Sequence, residues 1–271
     1  MDSASTVGEL PRALDAAALT DRLDGRRPAA FLDYDGVLSP IVERPEDAVL
    51  SDRMRTVVRE LADRCPVCIV TGRDREVVQQ LMGMDDLVVA GSHGFDIWDP
   101  EKGEVSHTAL SDFTGLVGDT TATLRDRVGG IPGVTIEPKR ASVAVHYRRA
   151  APEARVEVEQ IVRALLAEHP DQLAVVPGKM VYELKPAIDW NKGKAVLHLI
   201  DVLGLGSDDV VPLYLGDDIT DEDAFRALRG RGIGILVGSP DDPEMTDRTT
   251  EAEFVLATVD EVEQFLSNLA R

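Results

Sequence analysis

The sequence predicts an α/β fold in which a doubly wound parallel sheet is interrupted by an inserted α+β domain. Short apolar segments alternate with amphipathic helical stretches over residues 29–94 and again from residue 192 onward, which indicates parallel strands joined by helical crossovers. Between these regions, short strand-like segments and two helical stretches are typical of an α+β unit. We therefore expect a discontinuous core of residues 1–107 and 187–271, with the inserted domain at 108–186.

The core strands appear as short apolar runs that end in glycine or polar residues. They are expected at 29–33, 67–70, 87–90, 210–215, 233–237 and 254–256. Helices are expected where apolar residues recur every three or four positions, at 9–24, 52–63, 77–82, 192–202, 224–228 and 259–270. A hairpin is expected at 95–105, with its turn at Asp99-Pro100 or Lys102-Gly103.

The inserted domain is predicted to combine two helices with four short strands. The helices are expected at 113–128 and 153–168, and the strands at 134–137, 142–148, 173–176 and 181–185. Pro177-Gly178 is a turn signal, so we expect the chain to reverse there between the last two strands.

The charge and hydropathy of the chain exclude several classes of partner. A formal net charge of −20 argues against nonspecific binding to nucleic acid or anionic membrane, because both require a basic face. No apolar run reaches the length of a membrane span, and residues 1–10 lack the pattern of a signal peptide. We expect a cytoplasmic monomer that binds a small molecule.

The two cysteines form Cys65-Pro66-Val67-Cys68, which has the spacing of a redox motif. Cys68 lies inside the apolar run of a predicted strand, whereas reactive pairs of this kind stand at a helix start. We expect two small buried thiols. A structural zinc would need a second pair of ligands.

The first predicted strand runs directly into Asp33-Tyr34-Asp35-Gly36. Side chains two residues apart in a strand point to the same side. Asp33 and Asp35 are therefore expected to present two carboxylates at the carboxyl end of the strand, where parallel sheets bind ligands. Such a pair needs a compensating cation, and Mg²⁺ prefers oxygen ligands. Taken alone, an Asp-x-Asp-Gly pattern favours a pair of solvated loop aspartates, and the rest of the chain decides between the two.

Other strand ends and helix starts carry the remaining groups of a phosphate site. A hydroxyl follows the second strand, cations stand at a helix start, and carboxylates follow a late strand. These groups lie in Thr71-Gly72, Asn191-Lys192-Gly193-Lys194 and Asp217-Asp218-Ile219-Thr220-Asp221. Carboxylates for a hard metal, a hydroxyl and a lysine are the parts of a phosphoryl-transfer site.

Taken together, these motifs resemble those of the haloacid dehalogenase superfamily of phosphatases. The matching segments are Asp33-Tyr34-Asp35-Gly36, Thr71-Gly72-Arg73, Lys192-Gly193 and Gly216-Asp217-Asp218-Ile219-Thr220-Asp221. Finer matches resemble the trehalose-6-phosphate phosphatases, at 38–42, 91–95, 137–140, 146–148, 182–186 and 216–225. Two positions depart from the usual pattern: Val37 replaces Thr, and Asp96 replaces Glu.

The resemblance implies catalytic roles for Asp33, Asp35, Thr71 and Lys192. Asp33 would attack phosphorus and form an aspartyl-phosphate, while Asp35 would protonate the leaving sugar oxygen and later deprotonate water. Thr71 and Lys192 would hold the phosphoryl oxygens. Lys192 is preferred to Lys194 because Gly193 follows it.

The resemblance also implies a Mg²⁺ cofactor. Its ligands would be the Asp33 carboxylate, the backbone carbonyl of Asp35, and Asp217, with Asp218 or Asp221 acting directly or through water. The expected metal set is Asp33, Asp35, Asp217 and Asp218.

The inserted domain would then be a mobile cap that covers the sugar. The candidate substrate-binding residues are Arg73, His93, Gly94, Glu137, Lys139, Arg140 and Glu183. The implied reaction is hydrolysis of trehalose 6-phosphate to trehalose and phosphate. Two alternatives stay open: a phosphatase of another sugar phosphate, such as a glycosylglycerate phosphate, and a non-catalytic sugar-phosphate-binding domain. The second is disfavoured because every proposed catalytic group is present.

Overall fold

A computed structural model of the protein describes residues 5–105, 113–178 and 180–271. The chain divides into two compact units: Met1–Val105 and Trp190–Arg271 make up the first, and Ser106–Asp189 makes up the second. Each unit has its own apolar core. Across the described ranges, none of the helices combines the length and apolar character that crossing a bilayer requires.

The secondary structure of the described residues alternates between short strands and helices. The strands are β1 (Ser5–Thr6), β2 (Arg27–Leu32), β3 (Val67–Val70), β4 (Val88–Gly91), β5 (Asp96–Asp99), β6 (Gly103–Glu104), β7 (Thr135–Pro138), β8 (Val143–His146), β9 (Leu173–Gly178), β10 (Val181–Pro186), β11 (Val210–Gly216), β12 (Ile233–Val237), β13 (Thr249–Thr250) and β14 (Phe254–Leu256). The helices are α1 (Ala17–Leu23), α2 (Asp52–Ala62), α3 (Arg75–Met82), α4 (Phe113–Val128), α5 (Pro152–Glu168), α6 (Lys192–Val202), α7 (Glu222–Leu228), α8 (Pro243–Thr246) and α9 (Val259–Leu269).

The first unit is built on an eight-stranded sheet, counted over its described residues, in the order β14-β12-β11-β2-β3-β4-β5-β6. The strands from β14 to β4 are parallel, and β5 with β6 adds an antiparallel hairpin at one edge. Strand order reverses beside β2, and such a reversal leaves a crevice at the carboxyl ends of the strands. The predicted doubly wound parallel sheet is confirmed.

Alternating residues of the central strands fill two apolar layers, one on each face of the sheet. In β2, Ala30 and Leu32 pack with residues of α2, α3 and α9, whereas Ala29 and Phe31 pack with residues of α6 and α7. All four side chains are fully buried. Because both faces are covered, the central strands appear in the sequence as continuous apolar runs.

The helix expected at 9–24 is wrong in its first half, since α1 begins only at Ala17. Before it, residues 11–13 pair with the edge strand β14 through a single bridge at Arg12. The Pro11 carbonyl accepts the Val255 N–H at 3.1 Å, and the Ala13 N–H donates to the Val255 carbonyl at 2.9 Å. Proline has no N–H for a helical ladder but is tolerated at a sheet edge, so edge pairing prevails over the helical periodicity.

Cys65 and Cys68 are both free and buried. Cys68 lies within β3, and Cys65 lies just before that strand. Burial raises the pKa of the Cys65 thiol to about 11 and raises the pKa of Cys68 as well. Neither is a thiolate at neutral pH, so the expected pair of buried thiols is confirmed.

The second unit contains an antiparallel sheet with the order β7-β8-β10-β9 among its described residues. Leu124 of α4 and Val162 of α5 share one apolar cluster with Val143 of β8 and Leu184 of β10, so both helices pack on the sheet. The turn expected at Pro177-Gly178 is wrong, because β9 continues through those residues and remains paired with β10.

Candidate active site

Three neighbouring strands of the first unit end side by side. Strands β3, β2 and β11 are adjacent and parallel, and the residues that follow their carboxyl ends are Thr71, Asp33 and Asp217. The Asp33 N–H donates to the Leu215 carbonyl at 3.0 Å, and the Thr71 N–H donates to the Ala90 carbonyl at 2.9 Å. The sheet itself therefore brings these polar residues to one edge.

A buried lysine lies between two carboxylates at this edge. The Lys192 ammonium donates to Asp33 Oδ2 at 2.6 Å and to Asp221 Oδ1 at 2.7 Å. Lys192 is 3 % exposed, Asp33 5 % and Asp221 0 %. The other oxygen of Asp33 accepts the Tyr34 N–H at 2.7 Å. Lys192 therefore compensates the charge of both acids in a place that water hardly reaches.

Lys192 occupies this position because α6 begins there and approaches α7 closely. The Asn191 side chain caps α6 by accepting the Lys194 N–H at 2.9 Å. A Cβ placed on Gly193 would lie 2.2 Å from the Asp223 carbonyl oxygen, so no larger residue fits between the two helices. Gly193, which distinguishes Lys192 from Lys194 in the sequence, is therefore required for the close packing of the two helices.

Asp33, Asp217 and Asp221 form an acidic cluster, in which one carboxylate oxygen from each lies within 4.8 Å of the others. Two glycines make room for it. A Cβ on Gly36, whose φ is 72°, would lie 2.1 Å from Asp217 Oδ2, and one on Gly216 would lie 2.2 Å from Asp221 Cγ. Carboxylate oxygens at this spacing fit a hard divalent cation.

Asp221 differs from its neighbours because its carboxylate already accepts four hydrogen bonds. Oδ1 accepts from Lys192 and from the Tyr214 hydroxyl, the latter at 2.6 Å. Oδ2 accepts the N–H groups of Asp217 and Asp218 at 2.9 and 3.0 Å. These donors use the lone pairs of the carboxylate. We assign Asp221 to the organisation of the loop, whereas Asp33, which accepts two such bonds, retains capacity for a cation.

Asp218, an expected metal ligand, is engaged within its own loop. Its Oδ1 accepts the N–H and the hydroxyl of Thr220, both at 2.7 Å. In the part of the chain that the structure describes, the acidic cluster includes Asp221 in place of Asp218. The role expected for the Asp35 backbone carbonyl stays a prediction.

Burial and excess negative charge govern protonation in the cluster. Burial raises the pKa of Asp33 well above its usual value, and Asp221 adds to this effect while Lys192 opposes it. The pKa of Asp217 rises to about 7 through burial and the charges of Asp221 and Asp218. Burial disfavours the Lys192 charge, but Asp33 and Asp221 outweigh it and raise the Lys192 pKa. Three carboxylates face one ammonium, an imbalance that a divalent cation would remove.

Asp35 is held by Arg73 through a bidentate ion pair. Arg73 Nε donates to Asp35 Oδ2 at 2.7 Å, and Nη2 donates to Oδ1 at 2.6 Å. The remaining nitrogen, Nη1, donates to the Pro45 carbonyl at 2.9 Å. This fork fixes the orientation of the Asp35 carboxylate. Substrate binding by Arg73 stays a prediction, and the observed contact is with Asp35.

The turn after β3 is packed against the segment that contains His93 and Gly94. The Thr71 hydroxyl accepts the N–H of the residue two positions later at 3.1 Å, and the Thr71 carbonyl accepts the His93 N–H at 2.8 Å. The His93 ring lies over Gly72, where a Cβ would stand 2.7 Å from Cε1. His93 and Gly94 therefore lie at the Thr71 turn, and their contact with a substrate stays a prediction.

The remaining substrate-binding candidates lie in the second unit. Lys139 Nζ donates to Glu183 Oε1 at 3.2 Å, and Glu137 Oε2 lies 2.7 Å from His146 Nε2. Arg140 is exposed. The unit thus presents paired charged groups on its sheet, and their role in binding a sugar stays a prediction.

Sequence reasoning missed two residues that support the acidic cluster. Tyr214 is fully buried in β11, and its hydroxyl donates to Asp221. Arg248 donates to the backbone carbonyls of Asp217 and Asp218 at 3.0 and 2.7 Å. A lone hydroxyl within the apolar run of β11 was an available signal for Tyr214. Arg248 lies outside every motif, so nothing in the sequence marks it.

Comparison with known proteins identifies the family. The family model described as trehalose-phosphatase matches residues 31–259. The chain belongs to the trehalose-phosphatase family. A curated protein of Mycobacterium tuberculosis, named trehalose-phosphate phosphatase, is 42 % identical over 266 residues, which make up 98 % of this chain and 67 % of that protein.

Solved structures agree with this family membership. The C-terminal domain of the Candida albicans trehalose-6-phosphate phosphatase is 25 % identical, with a TM-score of 0.73 over 96 % of this chain and 98 % of that chain. The trehalose-6-phosphate phosphatase of Aspergillus fumigatus is 31 % identical, with a TM-score of 0.69 and the same two coverages. The family and fold that the motifs indicated are confirmed.

Proposed function

We propose that the protein is a Mg²⁺-dependent phosphatase that hydrolyses trehalose 6-phosphate to trehalose and phosphate through an aspartyl-phosphate at Asp33. One observation carries the proposal: Asp33 Oδ2 lies 2.6 Å from the Lys192 ammonium within a buried acidic cluster. Membership of the trehalose-phosphatase family supports the substrate.

Asp33 is the proposed nucleophile. One of its oxygens attacks phosphorus, and the bond between phosphorus and the sugar oxygen breaks. The backbone hydrogen bond to Leu215 and the Tyr34 N–H on Oδ1 fix this carboxylate in place. Lys192 stabilises the negative charge that spreads over the phosphoryl oxygens in the transition state, and the Thr71 hydroxyl is assigned to the same oxygens.

Asp35 is the proposed general acid and base. It gives a proton to the sugar oxygen as the sugar leaves. It then takes a proton from water, which attacks phosphorus, breaks the bond to the Asp33 oxygen and releases phosphate. Arg73 holds the Asp35 carboxylate by two hydrogen bonds and so limits the directions from which it can act.

The donor chemistry of the acidic cluster fits a divalent cation. Asp33 and Asp217 would hold Mg²⁺, because carboxylate oxygens are its preferred protein ligands. When bound, the cation offsets repulsion between the Asp33 carboxylate and an anionic phosphate ester. Burial and then the charges of Asp221 and Asp218 raise the pKa of Asp217 to about 7, and the cation would neutralise those charges.

Sugar recognition is assigned to the second unit, acting as a cap. Glu137, Lys139, Arg140 and Glu183 offer charged groups that suit the hydroxyls of a disaccharide, since charge-assisted hydrogen bonds are short and directional. His93 and Gly94 are assigned to the same task in the first unit. These assignments rest on the motif resemblance.

A phosphate-release assay over a panel of sugar phosphates tests the proposal. Trehalose 6-phosphate should give the highest kcat/KM, and EDTA should abolish turnover until Mg²⁺ is restored. Asp33→Asn should lower kcat by at least about 10⁴-fold, because the nucleophile is lost. Metal-independent turnover, or activity retained by folded Asp33→Asn, would refute the mechanism.

The substrate is tested separately from the chemistry. Glu183→Gln and Lys139→Met should weaken turnover of trehalose 6-phosphate far more than turnover of an aryl phosphate, which has no sugar to bind. Higher kcat/KM for a glycosylglycerate phosphate or another sugar phosphate would keep the mechanism and replace the proposed substrate.

A further inference from the structure

Arg248 belongs to none of the sequence motifs, yet it contacts the backbone of the loop that carries Asp217 and Asp218. It lies between α8 and β13, and its guanidinium donates through Nη1 to the Asp217 carbonyl at 3.0 Å and through Nη2 to the Asp218 carbonyl at 2.7 Å. Nη2 also lies 3.3 Å from Glu222 Oε1. The side chain of Arg248 is 21 % exposed and that of Glu222 is 9 % exposed. The bonds to the Asp217 carbonyl and to Glu222 are part-buried, whereas the bond to the Asp218 carbonyl is exposed, and a charged donor strengthens all three.

The peptides of Asp217 and Asp218 are held from two sides. Their N–H groups donate to Asp221 Oδ2 at 2.9 and 3.0 Å, and their carbonyls accept from Arg248. Because β11 ends at Gly216, these residues lie beyond the strand, and side chains supply the hydrogen bonds that the ladder no longer provides. The orientation of the Asp217 carboxylate within the cluster depends on the orientation of its peptide.

Arg248 is itself well anchored. Its carbonyl accepts the Val7 N–H at 3.0 Å, and its N–H donates to the Met245 carbonyl at 2.9 Å. Strand β13 begins at the next residue and pairs with β1. Glu222, the carboxylate partner of Arg248, accepts the Glu251 N–H at 2.8 Å. The guanidinium thus extends from a fixed frame toward the loop.

We infer that Arg248 is a positioning residue of the metal site, which sets the affinity of the acidic cluster for a divalent cation by fixing the Asp217 and Asp218 carbonyls. This inference rests on the proposed function, in which the cluster holds Mg²⁺. Removing a residue that orients a metal ligand without contacting the metal itself typically weakens metal binding about 10- to 100-fold. Arg248→Ala should show that loss, while kcat at saturating Mg²⁺ changes much less.

Isothermal titration calorimetry of the EDTA-treated full chain with MgCl₂ measures this affinity directly. Arg248→Ala should raise the Kd about 10- to 100-fold. Arg248→Lys should fall between Ala and wild type, because a single ammonium cannot span two carbonyls as a guanidinium does. Arg226→Ala is the matched control: Arg226 pairs with Asp223 and Glu251, and its loss should leave the Kd unchanged.

The outcomes separate positioning from general stabilisation. A merely structural arginine would lower the metal-free Tm and leave the Kd of the folded variant unchanged, and that result overturns the inference. If Arg248→Ala does not fold, a wild-type Kd in Arg248→Lys overturns it instead. Asp217→Asn is titrated in parallel. If Asp217→Asn binds Mg²⁺ with the wild-type Kd, the metal assignment of the proposed function fails. If Asp217→Asn loses Mg²⁺ binding while the Arg248 variants keep the wild-type Kd, only the role of Arg248 is overturned.

Discussion

Replacing Lys192 by methionine removes one charge from between two buried carboxylates. The ammonium lies 2.6 Å from Asp33 Oδ2 and 2.7 Å from Asp221 Oδ1, and none of the three residues is more than 5 % exposed. Methionine has a similar length but cannot donate. Removing one partner of a buried ion pair costs about 3–5 kcal/mol of stability, because the remaining charge is left uncompensated. We expect that loss in the free energy of unfolding of Lys192→Met near neutral pH.

The loss depends on pH with a definite sign. Burial and the charge of Asp221 raise the pKa of Asp33, and Lys192 opposes them. Even beside Lys192 the folded state holds the Asp33 proton more tightly than the unfolded chain does, and removing Lys192 increases this difference. Stability relative to wild type therefore falls as pH rises through the folded pKa, since the unfolded chain then releases its proton more readily. The deficit of Lys192→Met should be larger near pH 8 than near pH 5.

Urea unfolding followed by circular dichroism, in EDTA and at both pH values, measures this deficit. Lys194→Met is the matched control, because the same substitution two residues later changes a partly exposed side chain, and a charge that water reaches contributes about 1 kcal/mol or less through its contacts. A deficit below about 1 kcal/mol near pH 8, or an equal deficit at both pH values, would refute the account of Lys192 as the compensating cation.

Three further predictions concern the divalent cation, Gly36 and the two thiols. Because the pKa of Asp217 is about 7, a proton competes with the cation below that pH, and Mg²⁺ should raise the Tm more near pH 8 than near pH 6; equal shifts would contradict this. Gly36→Ala should abolish Mg²⁺ binding and turnover, because its Cβ would collide with the Asp217 carboxylate. Gly25→Ala is the control: Gly25 has a φ of 69° and open space around it, so the substitution should cost only about 1–2 kcal/mol of strain and leave Mg²⁺ binding and turnover intact. Cys65 and Cys68 should resist a thiol-specific disulfide reagent in the native protein and react in guanidinium chloride; a fast native reaction would contradict their burial.

The central strands were predictable because they are buried on both faces. In β2 residues 29–32 and in β11 residues 213–215 face one apolar layer or the other in turn, so the sequence shows apolar runs that end where polar residues emerge at the sheet edge. Local periodicity failed at the N-terminal segment. Pro11 and Ala13 pair with Val255 of the distant strand β14, a contact about which a local pattern holds no information.

The sequence by itself determined which residues stand at the ends of the central strands, because a strand's alternation and its carboxyl end are local properties of the chain. Asp33, Thr71 and Asp217 follow from that reasoning, and Gly193 marks Lys192. Tertiary structure alone decided which groups each side chain meets.

The tertiary structure pairs Arg73 with Asp35 and surrounds Asp221 with four hydrogen-bond donors. It also brings Arg248 to the loop that carries Asp217. Hydrogen-bond partners far apart in the chain are selected by distance and by the demand that buried polar groups be satisfied. Distances and burial are fixed only once the sheet has assembled. The motifs therefore located the site, whereas packing determined which groups each side chain contacts.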